Sequence, residues 1–164
     1  MRFVVLDINI VANYICLCLI DAGDTPSVLK LHKLLYYVQS WYLALNGEPM
    51  FDEKFQAWVH GPVSRVIYNR FKDSKSMYSQ IDIEDLDIVD LEQEFLSIPE
   101  EAKEHIENVL ESYGDLSGVE LERLTHKEDP WIKARVGIPK YERSENYISE
   151  DEMKKYYEEM ITVE

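Results

Sequence analysis

The four histidines are the first residues to test for chemistry, because imidazole is the usual general base and metal ligand near neutral pH. No two of them lie four residues apart, the spacing that places paired ligands on one helix face; they are His32, His60, His105 and His126. His126, just before an Asp-Pro-Trp turn, is the one most suited to a role. A capping or hydrogen-bonded structural role is the better interpretation of His126, and no zinc hydrolase is predicted.

The remaining reactive side chains also fail to form a recognisable catalytic set. Cys16 and Cys18 lie two apart on a predicted helix, so they point in different directions and form no metal-binding pair. A glycine-rich phosphate loop and a nucleophile elbow are both absent. With 32 Asp and Glu residues, a pair of carboxylates carries no signal until its geometry is known. We therefore predict no catalytic residue, no metal ligand and no cofactor.

Charge and hydropathy limit the partners that the chain is expected to bind. The formal net charge of -15 opposes binding to phosphate backbones, which depends on Lys and Arg, and favours a basic protein partner. The apolar stretch from Ile10 to Ile20 is shorter than the ~20 residues of a membrane-spanning helix. No secretory signal pattern is recognised, and the cysteines suit a reducing compartment, so we expect a cytoplasmic protein without direct nucleic-acid or membrane contact.

The elements that must position these residues are mainly helical. Hydrophobic periodicity predicts one domain over residues 1–164, with about six helices and a small strand or hairpin near residues 51–60. A short strand over residues 2–6 precedes the first helix, which Gly23 ends. Alternation over residues 55–60 predicts the strand, and Pro62 is expected to open a third helix with Val66 facing inward. Residues 74–96 are acidic and poorly periodic, which predicts a loop with a possible short strand.

The second helix is the best defined, with Ser27 as N-cap and Gly47 after its last turn. Its apolar residues nearly surround it, so the rest of the domain either wraps the helix or leaves part of it for a partner. We predict that one basic, aromatic edge is exposed and binds a partner; it consists of Lys30, Lys33, Tyr37 and Ser40. The competing interpretation is that the acidic C-terminal helix covers this edge, with Glu152, Glu158 and Glu159 pairing with the lysines.

Three ordered blocks of the sequence resemble the motifs of the Panacea (SocA-like) antitoxin family. Residues 29–44, LKLHKLLYYVQSWYLA, match its L-x-K-L-x-Y-Y-x-Q-x-W-x-L-A helix. Residues 47–51 and 55–63, GEPMF and FQAWVHGPV, with Tyr68, match the second block, and Tyr113, Gly114, Leu121 and THKEDPW at residues 125–131 match the third. The matched residues are interpreted as mainly structural, notably Tyr36, Gln39, Trp41, Trp58, Gly61, Pro62, Val63, Tyr68, His126, Pro130 and Trp131.

The resemblance implies a mainly helical antitoxin, frequently found in prophages, that neutralises a toxin by direct binding without enzymatic activity. The implied partner is a cognate protein toxin, encoded nearby. Two other functions stay open on the residues alone. An acidic phage counter-defence protein could mimic DNA with the carboxylates of residues 82–122, and an uncharacterised hydrolase would show turnover without any partner.

Overall fold

The computed structural model describes residues 5–163, which form eight α-helices and one β-hairpin around a single hydrophobic core. The helices are α1 (Ile8–Asp21), α2 (Val28–Asn46), α3 (Arg65–Phe71), α4 (Leu91–Glu94), α5 (Glu100–Tyr113), α6 (Gly118–Thr125), α7 (Asp129–Ala134) and α8 (Glu150–Val163). The hairpin strands are β1 (Phe55–Trp58) and β2 (Gly61–Ser64). The predicted class, mainly helical with one small hairpin, is confirmed.

Helix α2 lies at the centre of the fold, since every residue from Val28 to Ser40 is buried and only its last turn, with Leu45, is exposed. The Ser27 hydroxyl accepts from the Lys30 amide at 3.1 Å and begins the helix. Gly47, at a φ of 78°, ends it in the left-handed conformation that glycine tolerates best. Helices α1, α5, α6 and α8 and strand β2 all pack against α2. Of the two predicted arrangements, the wrapped helix is the one observed.

The hairpin corrects the predicted start of the third helix. Strands β1 and β2 are antiparallel, pairing Phe55 with Ser64 and Trp58 with Gly61. Pro62 therefore lies inside β2, and α3 begins three residues later. The Ser64 hydroxyl, which accepts from the Ile67 amide at 3.4 Å, caps the helix in place of the proline. Val66, predicted to face inward, is exposed.

The acidic region after α3 contains short helical elements and, in place of the suggested strand, an isolated antiparallel β-bridge between Gln80 and Ser27. A 3-10 helix spans Ile83–Leu86, and α4 spans Leu91–Glu94. These turns are too short to show a helical period in the sequence. The strand predicted over residues 2–6 falls mainly on residues 2–4, outside the described part of the chain, and residues 5 and 6 are not in a strand.

Side-chain caps and a proline mark the helix starts in the C-terminal third. Ser117 and Glu120 form a capping box that begins α6. The N-cap of α7 is Glu128, so Asp129 and Pro130 occupy the first two helical positions, where a missing proline amide costs nothing. The Ser149 hydroxyl caps α8 by accepting from the Glu152 amide at 3.2 Å. Within residues 5–163, no helix has the length and hydrophobicity needed to cross a membrane.

Candidate functional site

The two lysines of the predicted binding edge are buried by contacts with other elements. Lys30 Nζ donates to Asp24 Oδ2 at 2.8 Å and to the Gly114 carbonyl at 2.6 Å. Lys33 Nζ donates to the Pro62 carbonyl at 2.8 Å. Burial lowers the pKa of Lys33 to about 7, because the ammonium form loses its hydration, although Glu122 partly opposes the effect. Neither lysine is available to a partner in the folded domain.

The aromatic part of the same edge is also buried. Tyr37 stacks on Tyr113 with ring centroids 4.1 Å apart, and its hydroxyl donates to Glu128 Oε1 at 2.8 Å. Ser40 is fully buried. The predicted exposure of Lys30, Lys33, Tyr37 and Ser40 is therefore wrong. A helix that is apolar on nearly all sides is covered on nearly all sides, so the polar residues between its apolar ones are buried as well.

The alternative interpretation of that edge is correct only in part. Helix α8 contacts Tyr37 through Tyr157, with ring centroids 6.1 Å apart, whereas the Gly114 and Pro62 carbonyls contact the two lysines. Helix α8 packs along α2. The lysines find their partners in Asp24 and in backbone carbonyls, whereas Glu152 pairs with Lys133 at 3.0 Å. Backbone carbonyls need no second buried charge, so they satisfy an ammonium group at a lower desolvation cost.

Three other motif residues of α2 attach neighbouring segments to the helix. The Tyr36 ring lies edge-on to Phe55, with centroids 5.5 Å apart. Gln39 donates to the Phe51 carbonyl at 2.7 Å and accepts from the Met50 amide at 2.8 Å, which satisfies the backbone of the loop before β1. Trp41 is half-buried, and its Nε1 donates to the Tyr113 hydroxyl at 2.9 Å.

The hairpin turn contacts α2 so closely that a side chain would not fit at Gly61. Its φ is +98°, and an added Cβ would lie 2.7 Å from Lys33 Cε and 2.9 Å from Thr125 Oγ1. Glycine is required here for both its conformation and its size. The next two residues, Pro62 and Val63, are buried in β2.

The third motif block packs against the outer side of this turn. Trp131 Nε1 donates to the Trp58 carbonyl at 2.8 Å, and Trp58 lies 4.9 Å from the Tyr68 ring. The His126 ring stacks on Trp131 at 4.2 Å. Burial lowers the pKa of His126, which favours the neutral ring at neutral pH. These contacts support the structural interpretation of His126.

Glu128 is a buried carboxyl that connects the tyrosines of α2 and α8. Its Oε1 accepts from the Tyr37 hydroxyl at 2.8 Å and from the Tyr157 hydroxyl at 2.7 Å, so one carboxyl joins α2 to α8. Burial raises the pKa of Glu128 to about 7, although the two tyrosines stabilise the charged form and oppose the shift. The acid sits in the core, where it serves as a hydrogen-bonding hub.

The contacts of this cluster of motif residues, in α2, the hairpin turn and α7, indicate a structural role and not a catalytic one. Several of its polar side chains, among them Tyr37, Gln39 and Trp131, bond to the backbone or to one another inside the domain. Within the described residues, the Tyr36 and Ser40 hydroxyls and His126 Nε2 are buried without a hydrogen bond. Beside the cluster, the exposed His60 and the half-buried Glu122 approach each other, with Nδ1 and Oε2 3.3 Å apart. In the described part of the chain, no three His, Cys, Asp or Glu residues are grouped closely enough to hold a metal ion.

Sequence reasoning did not single out several residues that organise this region. Glu128 lies within a quoted motif, and that position was its one available signal. Arg135 had none: its guanidinium is buried and donates to four backbone carbonyls, those of Ala57, Pro139, Lys140 and Glu142. Thr125 and Tyr157 contact the cluster from elements distant in sequence, which periodicity cannot show.

The arrangement defines a helical scaffold whose motif residues are mostly internal, and comparison with known proteins identifies its family. The model of the antitoxin SocA-like family, Panacea domain, matches residues 31–132, so the chain belongs to this family. The resemblance found in the motifs is confirmed. That one domain of this family fills residues 1–164 stays a prediction.

A curated relative with which the chain can be aligned is antitoxin SocA of Caulobacter vibrioides (strain NA1000 / CB15N). The two are 33% identical over 114 residues, which cover 67% of this chain and 61% of SocA. The match thus spans less than two thirds of the relative's length. No solved structure matches the chain.

Proposed function

We propose that this chain is an antitoxin that neutralises a cognate protein toxin by binding it directly. The observation that carries the proposal is membership in the SocA-like antitoxin family over residues 31–132. The toxin is expected to be encoded nearby and to be met in the cytoplasm. Neutralisation by contact requires no catalytic step from this chain, and no direct contact with nucleic acid.

The positions of the motif residues support recognition by the surface outside the motifs. Tyr36, Gln39, Gly61 and Trp131 are buried and bond or pack within the domain. Residues of this kind define a scaffold and leave the exposed side chains to set the choice of partner. The toxin-contacting residues are therefore sought among exposed side chains.

One observation favours a second function. Between Lys75 and Lys103 the chain has nine carboxylates and no Lys, Arg or His. Such a density suits an acidic counter-defence protein that occupies the nucleic-acid site of an enzyme. The two functions differ in their partner and in what salt does to the complex.

The test of the antitoxin function uses the reading frame adjacent to this gene. Its product, expressed alone, should arrest growth, and co-expression with this chain should restore growth and yield a complex that co-purifies. A variant with Leu35→Asp, which places a charge in the core, is the folding-dependent negative control. Rescue without any complex, or turnover in a hydrolase screen that His126→Ala abolishes, would overturn the proposal.

A further inference from the structure

Four exposed aliphatic side chains lie close together in one short part of the chain, which we call the acidic segment, residues 82–96. Val89 is 99% exposed, Leu96 70%, Leu91 50% and Ile83 42%. Scattered exposed apolar residues are ordinary, whereas a concentration of them indicates an interaction site. The segment combines the 3-10 helix with α4, and both are too short to bury these side chains themselves.

Two buried anchors hold the part of the acidic segment that contains Val89 and Leu91. Leu86 and Phe95 belong to the core, and the Phe95 ring lies 5.1 Å from Tyr14. Asn13 Nδ2 donates to Glu94 Oε1 at 2.9 Å, and Arg70 donates to the Leu86 carbonyl at 3.3 Å. Val89 and Leu91 lie between these attachments. Their exposure therefore belongs to an ordered surface, which reduces the entropy lost on binding.

Exposed carboxylates lie next to Val89 and Leu91 in the sequence. Asp87, Asp90 and Glu92 are exposed beside Val89 and Leu91. Lys75 pairs with Asp85 at 3.0 Å, at the edge of the segment. A complementary partner surface must therefore offer an apolar pocket with Lys or Arg around it. A surface that only mimicked phosphates would need the carboxylates but gain nothing from two exposed aliphatic side chains.

We propose that the acidic segment is the toxin-binding surface, with Val89 and Leu91 entering an apolar pocket of the toxin that is bordered by Lys and Arg. This inference rests on the proposed antitoxin function. The aliphatics supply the affinity and the carboxylates supply the orientation and the rate of association.

The decisive variant is Val89→Ser with Leu91→Ser, tested for binding to the product of the adjacent reading frame. Burying one such side chain changes affinity by roughly tenfold, so the double variant should bind roughly 100-fold more weakly. The matched control is Val136→Ser, because Val136 is 78% exposed and lies outside the segment. Unchanged melting temperatures would show that both variants fold. Equal affinity of the double variant and the wild type would overturn the proposal.

A synthetic probe separates failure of this inference from failure of the antitoxin function. The probe is an amphipathic helix with one leucine face and one lysine face, compared with a lysine-only peptide of equal charge. The wild type should bind the amphipathic helix more tightly than the lysine-only peptide, and the double variant should lose that preference. Retention of the preference by the double variant would overturn the surface, even if the antitoxin function held. Absence of rescue by the wild type would overturn the antitoxin function, and with it the toxin as the partner of this surface, even if the preference for the amphipathic helix were retained.

Discussion

Two ionisable residues in the core, one basic and one acidic, have pKa values that burial shifts to near 7. Lys33 is fully buried, and its pKa falls to about 7. Glu128 is buried, and its pKa rises to about 7. In both cases the fold favours the uncharged form, because each charged form would lose its hydration with few hydrogen bonds in return. The stability of the domain must therefore depend on pH near neutrality.

We predict that Glu128 makes the domain less stable as pH rises from about 4.5 to about 7. Over this range the unfolded carboxyl has lost its proton and the folded one keeps it, so the folded state binds more protons and stability falls with pH. At about 1.4 kcal/mol per pKa unit, the full loss is roughly 3 kcal/mol. Urea unfolding at a series of pH values measures it. Glu128→Gln should flatten this limb, and an unchanged slope would contradict the assignment.

For Lys33 we predict the opposite pH dependence, a rise in the free energy of unfolding from about pH 7 toward pH 10. Here the unfolded ammonium keeps its proton while the folded amine has lost it, so the unfolded state binds more protons and stability rises with pH. Lys33→Met should remove this limb and leave the acidic one. The exposed Lys72→Met is the matched control, because Lys72 lies in solvent at the end of α3. A rise that survives Lys33→Met would contradict the prediction.

Gly61 gives a steric prediction with a matched comparison. Gly61→Ala should destabilise the domain by more than the ~1–2 kcal/mol of a left-handed backbone, because its Cβ would also overlap Lys33 and Thr125. Gly47→Ala shares a positive φ but has nothing within 4 Å of the added Cβ, so only the backbone cost applies. Chemical denaturation of both variants compares them. Equal losses would show that the turn yields to the added methyl group.

At the scale of elements, Arg135 organises the loop between α7 and α8. Its guanidinium joins the Ala57 carbonyl of β1 to three carbonyls of residues 139–142. The same loop bonds to β1 through the Ala57 amide and the Asn146 carbonyl at 2.7 Å. Most side chains of this loop are exposed, so its conformation depends largely on the buried Arg135 guanidinium.

We predict that Arg135→Met loosens this loop while the helices persist. The methionine keeps the apolar part of the side chain but leaves four buried or half-buried carbonyls without their donor. Amide hydrogen exchange should accelerate for residues 136–147 and change little in α2. Arg143→Met, in the same loop but exposed, should leave exchange unchanged. Uniform acceleration across the chain would instead mean that Arg135 stabilises the whole domain.

The elements also show how far the sequence could predict the fold. Helix α2 was predicted with its N-cap and its terminal glycine because its period and capping residues are local signals. The covering of Lys30 and Lys33 was not predictable, since it depends on Asp24, Gly114 and Pro62, which reach the helix from other segments. Trp41 and Trp58, interpreted from the motifs as structural, are both half-buried.

At the scale of the whole molecule, the family could be recognised from the sequence but the binding surface could not. The motifs report residues that build the scaffold, and the structure places most of them inside it. A partner-binding surface has no such internal constraint, so nothing in the order of residues 82–96 distinguished it from a solvated loop. The distinction comes from exposure, which shows Val89 and Leu91 in solvent between two buried anchors.

Because the chain carries a net charge of -15, we predict that salt changes how fast the toxin complex forms. Raising salt from about 0.1 M to about 1 M shortens the screening length from roughly 10 Å to roughly 3 Å. Charges at the rim of an interface act mainly on association, whereas its apolar centre holds the complex together. The association rate should therefore fall steeply with salt while the dissociation rate changes little, as surface plasmon resonance can measure.

A DNA mimic, held by its carboxylates, should dissociate faster as salt rises. Complete loss of the complex at about 0.5 M salt would therefore favour the mimic over an antitoxin with an apolar contact.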